Sequence, residues 1–145
     1  MNHEQARFNM VEQQIRTWNV LDTPILQALS QLARERFVPL AYQSLAYTDT
    51  EIPLGHGQSM LAPKVAARLA HDLSLRGDET VLEIGAGSGY LTALLAQRCK
   101  RVLALEIVPE LAALARNNLA QAGILGRRKA GLNVHYFIAD PGIFE

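Results

Sequence analysis

Residues 81–96 read VLEIGAGSGYLTALLA. An apolar run carries a carboxylate, Glu83, and then three alternating glycines, Gly85, Gly87 and Gly89. Neither an acid nor a glycine adds to a packed core, so their position has to be explained by the turn they build. The flanking sequence says which turn it is. Residues 79–84 read as a buried strand and residues 89–98 as a helix. Residues 101–106, RVLALE, give a second strand. Pro109 opens a helix to about residue 122 that Gly123 closes, and residues 133–139, NVHYFIA, give a third strand. Strand–helix–strand–helix–strand is the first half of a doubly wound parallel sheet, so the fold class is α/β and Rossmann-like.

In open α/β sheets a turn from strand into helix lies at the carboxyl edge, where ligands bind. Glycines there allow positive φ and leave no Cβ in a ligand's way, and the helix that starts near Gly89 offers unpaired N–H groups. The dinucleotide pattern GxGxxG would need its third glycine at residue 90, which is Tyr90. The GxGxG found here suits a nucleoside-type cofactor better than a pyrophosphate. Glu106 ends the second strand, 21 residues after Gly85, where an acid accepts ribose hydroxyl protons. Ile107 follows it and joins Gly85, Ala86, Gly87 and Gly89 as a cofactor-contact candidate. Asp140, after the third strand, is placed for the adenine edge, although ADPG also reads as a plain turn. Two roles are open for Glu83: accepting N–H groups of the glycine loop, the favoured one, or binding a cofactor amino group. Tyr90 is equally open between sheltering a cofactor and packing against helices.

Before the strands, residues 4–18 place Phe8, Val11, Ile15 and Trp18 at helical spacing, with Trp18 read as core. Asp22 caps a second helix that runs to about residue 34 on Ile25, Leu26, Leu29 and Leu32. Pro39, Pro53, Pro63, Gly55 and Gly57 interrupt any regular element across residues 37–63. That segment reads as a long functional loop. A helix follows Pro63 with Val65, Leu69 and Leu73 on one side.

At 145 residues the chain is one domain by length. It divides into N-terminal helices and a loop over 1–62 and a partial cofactor-binding unit over 63–145. Fourteen basic side chains balance fourteen acidic ones, which gives no electrostatic case for nucleic acid. Glu4, Glu12, Arg16 and Asp22 break the early sequence, which argues against a signal peptide or a membrane span. The single Cys99 fits a reducing, cytoplasmic setting and reads as a small apolar side chain. Arg127, Arg128 and Lys129 read as a phosphate patch or, the favoured reading, as a solvated loop.

The segments VLEIGAGSGY and LALE resemble motif I and the following acid of class I S-adenosylmethionine-dependent methyltransferases. With MVEQQI, RERFVP and LAYTDTEIPLGHGQSMLAP, the chain from about residue 7 to 123 resembles the protein-L-isoaspartate O-methyltransferase family. The resemblance implies a cytoplasmic repair enzyme that uses S-adenosylmethionine to methylate the free carboxylate of L-isoaspartyl residues in damaged proteins. It implies that His56, Gly57, Gln58 and Ser59 form the substrate loop, with Ser59 closest to catalysis; two roles are open for His56, orienting the substrate or, the favoured one, shaping the loop. An acceptor carboxylate is ionised at neutral pH, so the expected site is built of amides and small hydroxyls, with no metal and no Ser–His pair, and works by orientation.

The chain departs from the family pattern in two places. Ser59 stands where the family has Thr, and Leu61 stands where it has Ser, removing a hydroxyl near the acceptor. The class I fold has seven strands, and only the first three are expected here. Such a half sheet would expose the edge of TVLEI, as in a truncated product, a fragment, or a chain that completes its sheet as a homodimer. Two further readings stay open: a catalytically silent S-adenosylmethionine-binding module, and a methyltransferase with another acceptor.

Overall fold

The Asn2 side chain accepts the amide of Gln5 at 3.1 Å and starts α1, His3–Met10. In the computed structural model, which describes residues 1–124 and the backbone of 133–138, this helix does not keep its phase. It passes into a π turn, Val11–Ile15, where the Arg16 amide donates to the Val11 carbonyl, and ends in a 3-10 turn, Arg16–Trp18. An i→i+5 turn inserts an extra residue and rotates the rest of the helix about its axis. Met10, Val11 and Ile15 are therefore buried, while Phe8 is exposed. Trp18, expected in the core, stands 44% exposed with the Lys64 ammonium 4.7 Å above its ring.

Asp22 caps α2, Thr23–Gln31, by accepting the Ile25 amide at 3.3 Å. The helix buries Ile25, Leu26, Ala28 and Leu29 and stops short of residue 34 because Leu32 is extended. Two 3-10 segments follow, Arg34–Phe37 and Leu40–Leu45. The stretch expected to lack regular structure then forms a hairpin of β1, Ile52–Gly55, and β2, Gln58–Met60. The same glycines explain it. His56 (φ 55°) and Gly57 (φ 70°) both take the left-handed region, as the tight primed turn of a hairpin requires. Pro53 is tolerated opposite Ser59 because the ribbon has only two strands. Pro63 begins α3, Pro63–Asp72, which buries Pro63, Ala66, Ala67 and Ala70. Its Leu69 and the adjoining Leu73 are exposed, so the alanine face is the inner one. These elements make up one compact unit, Met1–Leu75.

The second unit, Arg76–Glu145, holds β3 (Thr80–Ile84), α4 (Tyr90–Ala96), β4 (Arg101–Glu106), α5 (Pro109–Gln121) and β5 (Asn133–Ile138). The strands are parallel in the order β3-β4-β5. Their register sets Glu83 beside Ala104 and Ile84 beside Leu105. Glu83, Val102, Ala104 and Glu106 share the buried face, against which α4 and α5 pack. The opposite face of β3 is open: Leu82 is 58% and Ile84 75% exposed. Among the described residues β3 pairs only with β4, so its other edge is free, as expected for this half of the sheet. Asp140, Arg127, Arg128 and Lys129 lie outside the described residues.

Candidate functional site

Parallel pairing of β3 and β4 brings two strand ends, Ile84 and Glu106, to one edge of the sheet. The chain leaving β3 is tied there at once. The amides of Gly85 and Ala86 donate to the Leu105 carbonyl at 2.8 and 3.2 Å. The Gly87 amide donates to Glu106 Oε1 at 2.8 Å, and the Val108 amide donates to Glu106 Oε2 at 3.1 Å. Glu106 thus clasps the glycine turn to its own strand end and is only 5% exposed. A carboxylate oxygen has a second lone pair, so each oxygen retains acceptor capacity for a hydroxyl.

The glycines do different work. Gly85 has φ 89°, and a Cβ built on it would meet nothing within 4 Å. Its surroundings are open space. Gly89 has φ 88°, but a Cβ there would lie 3.2 Å from Leu119 and 3.3 Å from Ala115. The first keeps room at the turn, and the second lets the turn sit against α5. Asn118, buried on α5, donates to the Ser88 carbonyl at 3.0 Å and fixes the far side of the turn. Ala86 is buried, and Ile107 is exposed beside Glu106.

Glu83 lies beneath this turn. Contrary to its favoured role, its carboxylate accepts from the Thr92 hydroxyl of α4 and not from the glycine loop, whose amides at Gly85 and Ala86 go to Leu105 and at Gly87 to Glu106. Burial pushes the Glu83 carboxyl up to about 7; the Thr92 bond opposes the rise, and the charge of Glu106 adds to it. Tyr90 is buried in the first turn of α4. Cys99 is buried as expected, and burial raises its thiol.

The family model for protein-L-isoaspartate(D-aspartate) O-methyltransferase (PCMT) matches residues 5–142. The chain belongs to the protein-L-isoaspartate O-methyltransferase family. It is 44% identical over 120 residues to protein-L-isoaspartate O-methyltransferase 2 of Anaeromyxobacter sp., covering 83% of this chain and 49% of that protein. It is 43% identical over 127 residues to the Aeropyrum pernix protein-L-isoaspartate O-methyltransferase, covering 86% and 49%. The chain spans about half the length of these curated relatives. Among solved structures, a protein-L-isoaspartate O-methyltransferase aligns with a TM-score of 0.69 at 23% identity, over 95% of this chain and 42% of its own. A putative Plasmodium falciparum protein-L-isoaspartate O-methyltransferase, solved in complex with S-adenosyl-L-homocysteine, aligns with the same score at 21% identity, over 100% and 65%. These alignments bear out the α/β class I methyltransferase fold.

The hairpin of this PCMT-family chain carries His56, Gly57, Gln58 and Ser59 at or beside its tip, all exposed. No sequence pattern singles out Arg34. Arg34 is wholly buried, and its guanidinium donates to the Ala46 and Leu61 carbonyls, at 2.6 and 2.9 Å. Asn118 has a legible signal, a polar residue on the apolar face of α5 between Ala115 and Leu119. Thr92 on α4 gives a weaker one, because threonine is common in buried helices.

Proposed function

We propose that this chain is the cofactor-binding and acceptor-loop half of a protein-L-isoaspartate O-methyltransferase, acting on the free carboxylate of L-isoaspartyl residues in damaged proteins or peptides. The observation that carries this reading is Glu106 reaching from the end of β4 to the Gly87 amide. It puts an acceptor beside a turn whose Gly85 keeps open space. These residues fit S-adenosylmethionine: Glu106 accepts from the ribose hydroxyls, Gly85 and Gly87 let the amino-acid portion approach the backbone closely, and Ile107 is an apolar contact. Asp140 remains an expected adenine contact.

When bound, S-adenosylmethionine supplies an electrophilic methyl group that an ionised carboxylate takes without a base. The residues of the chain then need only hold the acceptor in line and exclude water. Gln58 and Ser59 offer a side-chain amide and a hydroxyl for that carboxylate, and His56 shapes the turn. A second reading, a silent binding module, is favoured by Leu61, which puts an apolar side chain where the family has a hydroxyl. That same residue permits a different acceptor.

A second copy pairing along the β3 edge, which is free among the described residues, would extend the sheet beside Leu82 and Ile84, and we include such a homodimer in the proposal. The balanced charge gives no case for nucleic acid. No described helix is long and apolar enough to cross a membrane, and one buried thiol fits the cytoplasm. The test is methyl transfer to an isoaspartyl peptide with an aspartyl peptide as control. Transfer to the first alone supports the enzyme. S-adenosylhomocysteine binding without transfer supports the silent module.

A further inference from the structure

Arg34 is the largest fully buried side chain among the described residues. Its Nε donates to the Ala46 carbonyl at 2.6 Å and its Nη2 to the Leu61 carbonyl at 2.9 Å. Those two carbonyls bracket the hairpin. Ala46 lies where the chain leaves the second 3-10 segment, and Leu61 lies one residue after β2. The edge of a guanidinium that usually grips a carboxylate here grips both ends of one loop. The entry side is held further: the Tyr47 hydroxyl donates to Glu35, and Gln14 donates to the Tyr47 carbonyl at 2.8 Å. Ile52 and Met60, paired across the ribbon, are buried beneath it. The tip residues are exposed, so what fixes their position lies at the base.

We propose that Arg34 is a positioning residue: by closing the base of the segment from Ala46 to Leu61, it fixes where Gln58 and Ser59 stand. This rests on the reading of the hairpin as the acceptor loop. Misplacement by about 1 Å costs on the order of a hundredfold in rate when catalysis is orientation. Lysine keeps the charge but lacks the planar fork, so it cannot reproduce both bonds with the same geometry.

Two measurements on Arg34→Lys separate the parts of the proposal. The first is hydrogen exchange, which needs no activity. Amides of residues 52–60 are expected to exchange about tenfold faster, the size of one lost bond to a charged group. Amides of α1, α2, β3 and β4 serve as the internal reference and are expected to stay unchanged. Unchanged hairpin exchange overturns the proposal, and so does equal acceleration across residues 1–75. The second is kinetics. For an isoaspartyl peptide, kcat/KM falls at least about tenfold, while S-adenosylhomocysteine affinity stays within about twofold, since the variant leaves the glycine turn untouched. Equal losses in both overturn it. A wild-type chain that transfers no methyl group refutes the acceptor reading, and the exchange result still decides the clamp. Should Arg34→Lys fail to fold, nitrogen-15 spectra of the unaltered protein decide. The Arg34 Nε–H and Nη2–H are expected to exchange slowly and to couple across hydrogen bonds to the carbonyl carbons of Ala46 and Leu61. Fast-exchanging, uncoupled guanidinium protons overturn the proposal.

Discussion

Glu106 accepts the backbone amide of Gly87 at 2.8 Å, across the gap between two adjacent strand ends. Its second oxygen takes the Val108 amide at 3.1 Å. One carboxylate therefore sets both the turn after β3 and the turn after its own strand. A bond from an amide to a charged acceptor is worth about 1.5–3 kcal/mol. Losing the clasp is expected to loosen the glycine turn even with no ligand bound.

Gly85 and Gly89 should respond differently to alanine. Both have φ near 90°, and an L residue there costs about 1–2 kcal/mol. Gly89→Ala adds contacts of 3.2–3.3 Å with Leu119 and Ala115, so its total loss of stability is about 2–4 kcal/mol. Gly85→Ala adds no contact within 4 Å and should lose only the strain. Its larger effect should be on S-adenosylhomocysteine binding, because the new methyl occupies open space at the turn. Thermal unfolding and calorimetry of the two variants check this. Equal stability losses, with binding unaffected in both, would refute the division of roles.

Glu83 makes stability depend on pH. Its carboxyl lies at about 7 in the folded chain against an ordinary 4.5, so the folded state holds the proton more tightly. The contribution is fully present below about pH 4.5 and is lost as pH rises to 7, a change of about 3 kcal/mol. Asp72 and Glu79 have the opposite sign. The His71 and Arg68 side chains lower the first, and the Arg76 and Gly77 amides lower the second. Their contributions are present above the ordinary carboxyl range and are lost only in stronger acid. The melting temperature is therefore expected to fall between pH 5 and 8, and Glu83→Gln is expected to flatten that fall. A variant that keeps the wild-type slope would show that another group sets the pH dependence.

Leu82 and Ile84 carry the case for self-association. Both are exposed on a strand with one free edge among the described residues, an arrangement that favours pairing. Light scattering should show a concentration-dependent dimer, and the double variant Leu82→Lys, Ile84→Lys should be a monomer with unchanged helix content. A wild-type chain that stays monomeric at every concentration would count against the homodimer.

The parallel sheet is legible because its signals are local: VLEIGAGSG, the strand ending in Glu106, and Pro109 and Gly123 around α5. The hairpin is hidden because Pro53, Gly55 and Gly57 read as breakers. The physics of φ > 0 makes His56-Gly57 a turn former between two strands. Periodicity misplaces Trp18 because it assumes an unbroken helix, and the π turn at Val11–Ile15 shifts the phase. The roles of Glu83 and Glu106 are only partly readable. Their positions at strand ends follow from sequence, but which acid meets Gly87 and which meets Thr92 depends on register and helix placement. In ARERFVP, nothing in the pattern says that Arg34 and not Arg36 turns inward.

The decisive test of the cofactor site is calorimetric titration of S-adenosylhomocysteine into the wild-type chain and Glu106→Ala, each shown to be folded by circular dichroism. One site per chain is expected in the wild type. The variant is expected to lose at least about a hundredfold in affinity, the size expected for an acceptor of two ribose hydroxyls. A folded wild-type chain that takes up no ligand, or a variant that binds as tightly as the wild type, would refute the assignment of Glu106.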